Sequence, residues 1–333
     1  MTMASCRSGT AIRVTNPMQE LVSYLAAAGL LTKPCGCLIL TATHRSSSHS
    51  VVDLKLRNGQ RWIVKRARAR KEAPGPPTLG AEFAAYRLRS ELPALACLMP
   101  ECLHVDEATQ TLVLQGTTDE GVFHPTPERC ARLGKQLAAM HRSTEGGIAS
   151  GFTDTWPWIL EVFEPHGFQT PVARALVEDT AAVGARLRLL GTAVEMKCLV
   201  HNDVKFANCL AGDGPEESLR LIDWETAGIG DPAWDVAGVV QDHLQMALRG
   251  ANGPDVRAAL TAFLQAYLEA YAPEDGRAFR MKISGMAGAR LLQSSFEHAL
   301  SCGVSAQARV LADHAAGLLQ RPESLFDVFR RAA

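Results

Sequence analysis

Three polar residues in one short run carry the means to position a metal ion and a hydroxyl. They are His201, Asp203 and Asn208, spaced as H-x-D-x-x-x-x-N within LVHNDVKFANCL, and Asp223 follows at the end of the apolar stretch RLID. Hard divalent cations such as magnesium take oxygen ligands, which Asn208 and Asp223 offer. Asp203 is then left to accept a hydrogen bond from a hydroxyl and take its proton. His201 reads as a brace behind the loop rather than as a base.

The run over residues 199–235, LVHNDVKFANCLAGDGPEESLRLIDWETAGIGDPAWD, resembles the catalytic and metal-binding segments of the aminoglycoside phosphotransferase and choline kinase family. That family carries a loop of the H-G-D-x-x-x-x-N kind, then a segment like I-D-W-E and a G-D-P-x-x-D continuation. Here these are residues 201–208, 222–225 and 230–235. Asn202 stands where the family usually has glycine, a mild change because asparagine tolerates left-handed backbone.

The resemblance implies a bilobal, protein-kinase-like α+β fold, with a small mixed-sheet N-lobe and a mainly helical C-lobe. It also implies transfer of the γ-phosphoryl group of ATP to a hydroxyl, with Asp203 catalytic and Mg2+ on Asn208 and Asp223. Glu225 would assist the cation through water. Lys205 turns the loop into H-x-D-x-K-x-x-N, also similar to the loop of serine/threonine protein kinases. An ammonium there touches phosphoryl oxygens as charge moves to the acceptor; its alternative is a solvent-facing loop lysine.

Further upstream, Lys65 in WIVKRA is similar to the V-A-I-K strand of kinases, which implies that it neutralises the inner phosphates. Glu82 would pair with it, with Glu91 as a competitor, although a glutamate early in a helix also suits the helix dipole. Ser47 and Ser48 fall where the family covers the phosphates, or in a plain surface loop. Leu114, Gln115 and Gly116 fall at the hinge, where adenine meets backbone groups.

These residues need elements to hold them. Residues 16–31 read as a helix, with Asn16 as cap and Pro17 at its first position. A short strand is expected over residues 36–42, then a loop without periodicity over residues 41–50. The stretch VVDLKLRNGQRWIVKRA alternates around an Asn-Gly turn, the signal of a β-hairpin. Residues 68–77 are basic and then rich in proline and glycine, which predicts a loop. GAEFAAYRLRSEL reads as a helix, and residues 99–105 and 111–115 as strands. Helices are expected over PERCARLGKQLAAMHRS, over residues 171–190, and from Asp235 onward, with Asp235 as a cap that also bonds back to the catalytic loop. The remaining long helices contain Gly285 and Gly288, which allow a close approach or a break. The implied domains are a tail over residues 1–15, an N-lobe over 16–116 and a C-lobe over 117–333.

Composition bounds the partners. The chain has 333 residues, 47% of them hydrophobic, and a net charge of -1. Such a balance gives no general footprint for nucleic acid. No apolar run reaches the length of a membrane span, and no secretory leader is visible. Nine scattered cysteines read as reduced thiols in the cytoplasm. The expected partner is a small-molecule or peptide hydroxyl substrate, and the expected state a monomer or homodimer. The acids beyond the loop, Asp242 and Glu297 among them, are scattered, and many read as surface-facing. Trp234, Tyr267, Tyr271 and Phe296 read as core or as part of an aromatic cage. A kinase of serine or threonine in peptides, and a binding protein that keeps the fold without turnover, are the competing readings.

Overall fold

The computed structural model describes residues 17–31, 39–46, 49–67, 79–116, 123–147, 151–161, 171–211 and 219–327. In chain order the first elements are α1 (Pro17–Ala27), β1 (Ile39–Ser46), β2 (Ser50–Leu56), β3 (Arg61–Arg66), α2 (Gly80–Arg89), α3 (Pro93–Leu98), β4 (Cys102–Asp106) and β5 (Thr111–Gln115). Then come α4 (Pro127–Thr144), α5 (Trp158–Glu161), α6 (Pro171–Leu176), α7 (Thr180–Thr192), β6 (Cys198–Val200), β7 (Cys209–Ala211), β8 (Leu219–Leu221) and β9 (Gly228–Gly230). Four helices finish the chain: α8 (Pro232–Leu248), α9 (Gly253–Tyr271), α10 (Gly276–Cys302) and α11 (Ala306–Gln320). The elements fall into two compact units. One takes the chain to Gly75 together with Cys102–Gly116, and the other takes Pro76–Glu101 and Thr117–Ala333.

The first unit is a five-stranded sheet in the order β1-β2-β3-β5-β4, with every pairing antiparallel. Val52, Leu54 and Leu56 alternate along β2 and pack with Trp62, Val64 and Val113 against Leu21, Val22 and Leu25 of α1. The β2–β3 turn carries its left-handed residue at Gly59, φ 85°, where glycine has no steric cost. The amide of Gly59 donates to Leu56 O, and that of Leu56 to Gln60 O. Strand β1 continues to Ser46, beyond the strand end expected from sequence. Its backbone groups are paired with β2 up to Ser46↔Ser50, so pairing rather than hydrophobic alternation extends it. The expected loop over residues 68–77 lies outside the described residues.

The second unit is mainly helical. Helix α8 is buried on nearly every side from Pro232 to Gln241, as a central core helix must be. Gly134 of α4 sits against α9: a Cβ there would stand 2.5 Å from Phe263 O. The single helix expected over residues 171–190 is two, α6 and α7, because Asp179 caps the second by accepting a bond from the Ala182 amide. Helix α10 runs unbroken through Gly285 and Gly288; the latter lets α11 approach, with Ala315 O 3.1 Å from a Cβ built there. No helix among the described residues is long and apolar enough to cross a membrane.

Candidate active site

Short strand β6 delivers His201 to a loop, and β7 carries the chain away after Asn208. The loop has little secondary structure of its own, so its polar backbone groups must find other partners. Helix α8 supplies several. Asp235, fully buried, accepts the amides of His201 at 2.7 Å and Asn202 at 2.8 Å. His141 of α4 lies 3.2 Å from the same carboxylate, and its other ring nitrogen lies 2.8 Å from the Tyr267 hydroxyl. Asp242, one α8 stretch further on, accepts the Phe206 amide at 2.5 Å.

The N-cap of α8 is Asp231, which accepts the Ala233 amide, and not Asp235 as the sequence led one to expect. Proline at the first helical position leaves no amide to waste there. Asp235 falls one turn inside and points back to the loop. Asp242 likewise is not a surface acid.

These bonds set the electrostatics. Burial is the largest influence on the Asp235 carboxyl and pushes its pKa up, but His141 and His201 outweigh it and hold the group below the ordinary carboxylate range. Asp242 goes the other way, raised by burial above all. Burial lowers the pKa of His201. The neutral ring fits its bonds: Nε2 donates to Ile222 O at 3.0 Å, and Nδ1 accepts the Asp203 amide at 3.3 Å. Trp224 closes over that ring with centroids 4.6 Å apart. His201 therefore braces the loop from behind.

Asp203 emerges half-exposed on the outer side. Its Oδ2 accepts Lys205 Nζ at 2.6 Å and Asn208 Nδ2 at 3.1 Å; Asn208 Nδ2 also reaches Asp203 O at 2.9 Å. The Asn208 carbonyl accepts the Ile222 amide at 2.9 Å, which continues the β7–β8 pairing by one step. Asn208 and Asp223 therefore leave the same end of a two-stranded ribbon. Asp223 is left-handed, with φ 71° and ψ 59°. Such backbone costs a non-glycine residue about 1 kcal/mol or more and is common at functional sites. Asn202 is left-handed too, at φ 69°, with its amide side chain donating to Thr155 Oγ1 at 2.8 Å.

The donor set fits a hard divalent cation. The Asn208 amide nitrogen is turned to Asp203, which leaves the amide oxygen as its ligand atom, and Asp223 offers a carboxylate. Two protein oxygens suit magnesium, which keeps its remaining positions for water and phosphate. No group of three or more His, Cys, Asp or Glu side chains forms a metal cluster among the described residues.

Of the other site residues expected from sequence, Lys65 is buried in β3 of the strand unit, and Glu82 is buried in α2 of the helical unit. Leu114 and Gln115 end β5, whose pairing with β3 is prolonged by Gly116 N donating to Arg61 O at 2.7 Å. Gln115 Nε2 donates to Arg61 O at 3.2 Å. Ser47 and Ser48 lie outside the described residues. Trp234 and Tyr267 are core residues: the indole donates to Asn202 O at 3.2 Å and the phenol meets His141. Sequence reasoning missed Arg290 of α10, whose guanidinium meets Asn202 O and Val204 O. A cavity of about 810 Å3 opens elsewhere in the helical unit, lined by Tyr271, Phe279 and Lys282, and holds none of His201, Asp203, Lys205, Asn208 or Asp223.

A strand-rich unit, a helical unit and a loop of this kind, with metal-competent oxygens beside it, define a bilobal protein-kinase-like protein. The sequence pattern of the phosphotransferase enzyme family, APH, matches residues 41–281, and the chain belongs to that family. Choline kinase LicA from Streptococcus pneumoniae has a similar structure, with a TM-score of 0.60, 15% identity, and coverage of 92% of this chain and 99% of that one. Plasmodium vivax ethanolamine kinase gives 0.59 and 11%, covering 95% and 90% of the two chains. A thermostable mutant of aminoglycoside phosphotransferase APH(4)-Ia, in a ternary complex with ADP and hygromycin B, gives 0.55 and 14%, covering 84% and 94%. At these identities the likeness is one of fold. A search of curated protein sequences finds no match.

Proposed function

We propose that this protein is an ATP-dependent phosphotransferase that moves the γ-phosphoryl group to a hydroxyl of a small molecule. One observation carries the reading: Asp203 Oδ2 is held by both Lys205 and Asn208 in a loop whose far end adjoins Asp223. Asp203 accepts a hydrogen bond from the acceptor hydroxyl, orients it for in-line attack, and takes its proton as the bond to phosphorus forms. Lys205 turns from Asp203 to the phosphoryl oxygens as charge builds there. Asn208 and Asp223 would hold a magnesium ion, which would neutralise phosphate charge when bound. Lys65 would neutralise the inner phosphates, and the strand end at Leu114, Gln115 and Gly116 would meet adenine through its backbone.

The acceptor is an amino alcohol or an amino sugar. The structural relatives named for choline, for ethanolamine and for hygromycin B support that class.

Calorimetric titration with ATP tests the nucleotide half of the site. Binding should require magnesium and should be lost in Asp223→Ala. Asp203→Asn should keep that binding while turnover falls by about 10²-fold or more, the size of a general-base contribution. An Asp203→Asn protein with full activity on any acceptor found by screening would refute the assigned role.

A further inference from the structure

Arg290 lies on α10, far along the chain from the loop, yet its side chain ends there. The residue is 8% exposed. Its Nε donates to Gln241 Oε1 at 2.9 Å, Nη1 to Asn202 O at 3.2 Å and Nη2 to Val204 O at 3.4 Å. The two carbonyls belong to the residues immediately before and after Asp203. Three further features are built around this contact. The Trp234 indole donates to the same Asn202 carbonyl. The Trp234 ring lies 4.9 Å from the guanidinium carbon, a cation–π distance. Gly238 of α8 leaves the space: a Cβ there would stand 2.3 Å from Val204 O and 3.1 Å from Arg290 Cζ.

The chemistry of the contact is unusual for a residue kept only for stability. Burying a charge is costly unless it is paired, and no carboxylate forms an ion pair with Arg290 among the described residues. Its bonds go instead to neutral oxygens. Asp203, Asp235 and Asp242 act on it from farther off. A guanidinium is permanently charged and presents its donors in a rigid fork. Such a fork holds the two carbonyls in a fixed relation, and the residue between them is Asp203.

We propose that Arg290 is a positioning residue for phosphoryl transfer: its fork fixes the two peptide carbonyls that bracket Asp203 and so sets where that carboxylate meets the acceptor. This rests on the role given to Asp203 above. Asp235 grips the amides of residues 201 and 202, Asp242 grips the amide of residue 206, and Arg290 grips carbonyls 202 and 204 between them. Loss of the fork strands the Val204 carbonyl and leaves the Asn202 carbonyl to Trp234 alone, so the backbone on either side of Asp203 can shift.

The test uses the full chain and magnesium-dependent hydrolysis of ATP, with water as the acceptor. Arg290→Met should lower turnover by roughly 10- to 100-fold, the range for a misplaced reacting group, with the affinity for Mg-ATP unchanged by calorimetry. Arg290→Lys keeps the charge but loses the planar, rigid fork, so it should lose at least tenfold. The pair Arg290→Met with Asp203→Asn should be no slower than Asp203→Asn alone, because the arginine acts through the aspartate. A purely structural arginine would instead lower the melting temperature and leave the turnover of folded protein intact. Turnover within twofold of wild type in a folded Arg290→Lys or Arg290→Met protein overturns the proposal, as does full additivity in the double variant. If Arg290→Met does not fold, Arg290→Lys decides. If Asp203→Asn itself hydrolyses ATP at the wild-type rate, the failure lies with the role of Asp203.

Discussion

A fully buried carboxylate with several donors fixes a loop at high cost of removal, and Asp235 does so for the two amides that precede Asp203. Asp235→Ala would strand both amides and His141 without an acceptor. We expect a loss of about 3 kcal/mol in urea unfolding at neutral pH, with turnover falling in the fraction that stays folded. Because its folded pKa lies below the ordinary value of 3.8, the Asp235 contribution is complete above about pH 4 and disappears as pH falls further. Histidine produces a separate acid limit at higher pH. Burial pushes His243 down to about 4 from 6.5, so the unfolded chain binds its proton first and stability falls as pH drops through that window. Between pH 6.5 and 5 the loss is about 2 kcal/mol. His201, also lowered by burial, adds to it. Urea midpoints at pH 7 and pH 5 should therefore lie closer together in His243→Gln than in the wild type. At this scale the sequence was most readable where spacing is local. Asp203, Lys205 and Asn208 meet because they share one loop. Arg290 and Asp242 gave no signal, since their partners are backbone groups 88 and 36 residues away, and a lone acid or base on a helix normally reads as surface.

Helices carry a comparable lesson in their glycines. Replacing a mid-helix glycine with alanine normally stabilises by about 0.5–1 kcal/mol through the unfolded state. Gly317 of α11 has nothing within 4 Å of an added Cβ, and Gly317→Ala should show that gain as a raised melting temperature. Gly134→Ala should do the reverse. The same methyl would meet Phe263 O at 2.5 Å and Tyr267 N at 3.0 Å, so α4 and α9 must part, at about 1–3 kcal/mol. Composition cannot distinguish the two sites; only the neighbour across the interface does. Element boundaries failed for similar reasons. The expected start of α8 at Asp235 overlooked Asp231 and Pro232 as cap and first residue, because the helix continues inward from a polar pair into a segment with no polar face. The β2–β3 hairpin and α4 were legible, each having a regular period and a clear turn or cap.

The strand-rich unit is assembled from two separate stretches of chain, with residues 76–101 between them belonging to the helical unit. Strand β5 enters between β3 and β4, and its Val113 completes the core built by α1, β2 and β3. A fragment ending at Gly75 therefore lacks β5, one of the two partners of β3. It should show no cooperative unfolding transition by circular dichroism, even though it contains three of the five strands. Its three strands gain a second open edge at β3 and lack Val113 from their hydrophobic face, which independent stability needs.

The anchoring of the loop by α8 and α10 has a consequence for the gene as well as for the enzyme. A reading frame cut by a stop codon after residue 281 would still encode the whole span matched by the family pattern, with His201, Asp203, Lys205, Asn208 and Asp223 intact. It would lack Arg290, which holds the carbonyls on either side of Asp203. During synthesis the loop likewise waits for some eighty further residues to leave the ribosome before its last anchor exists.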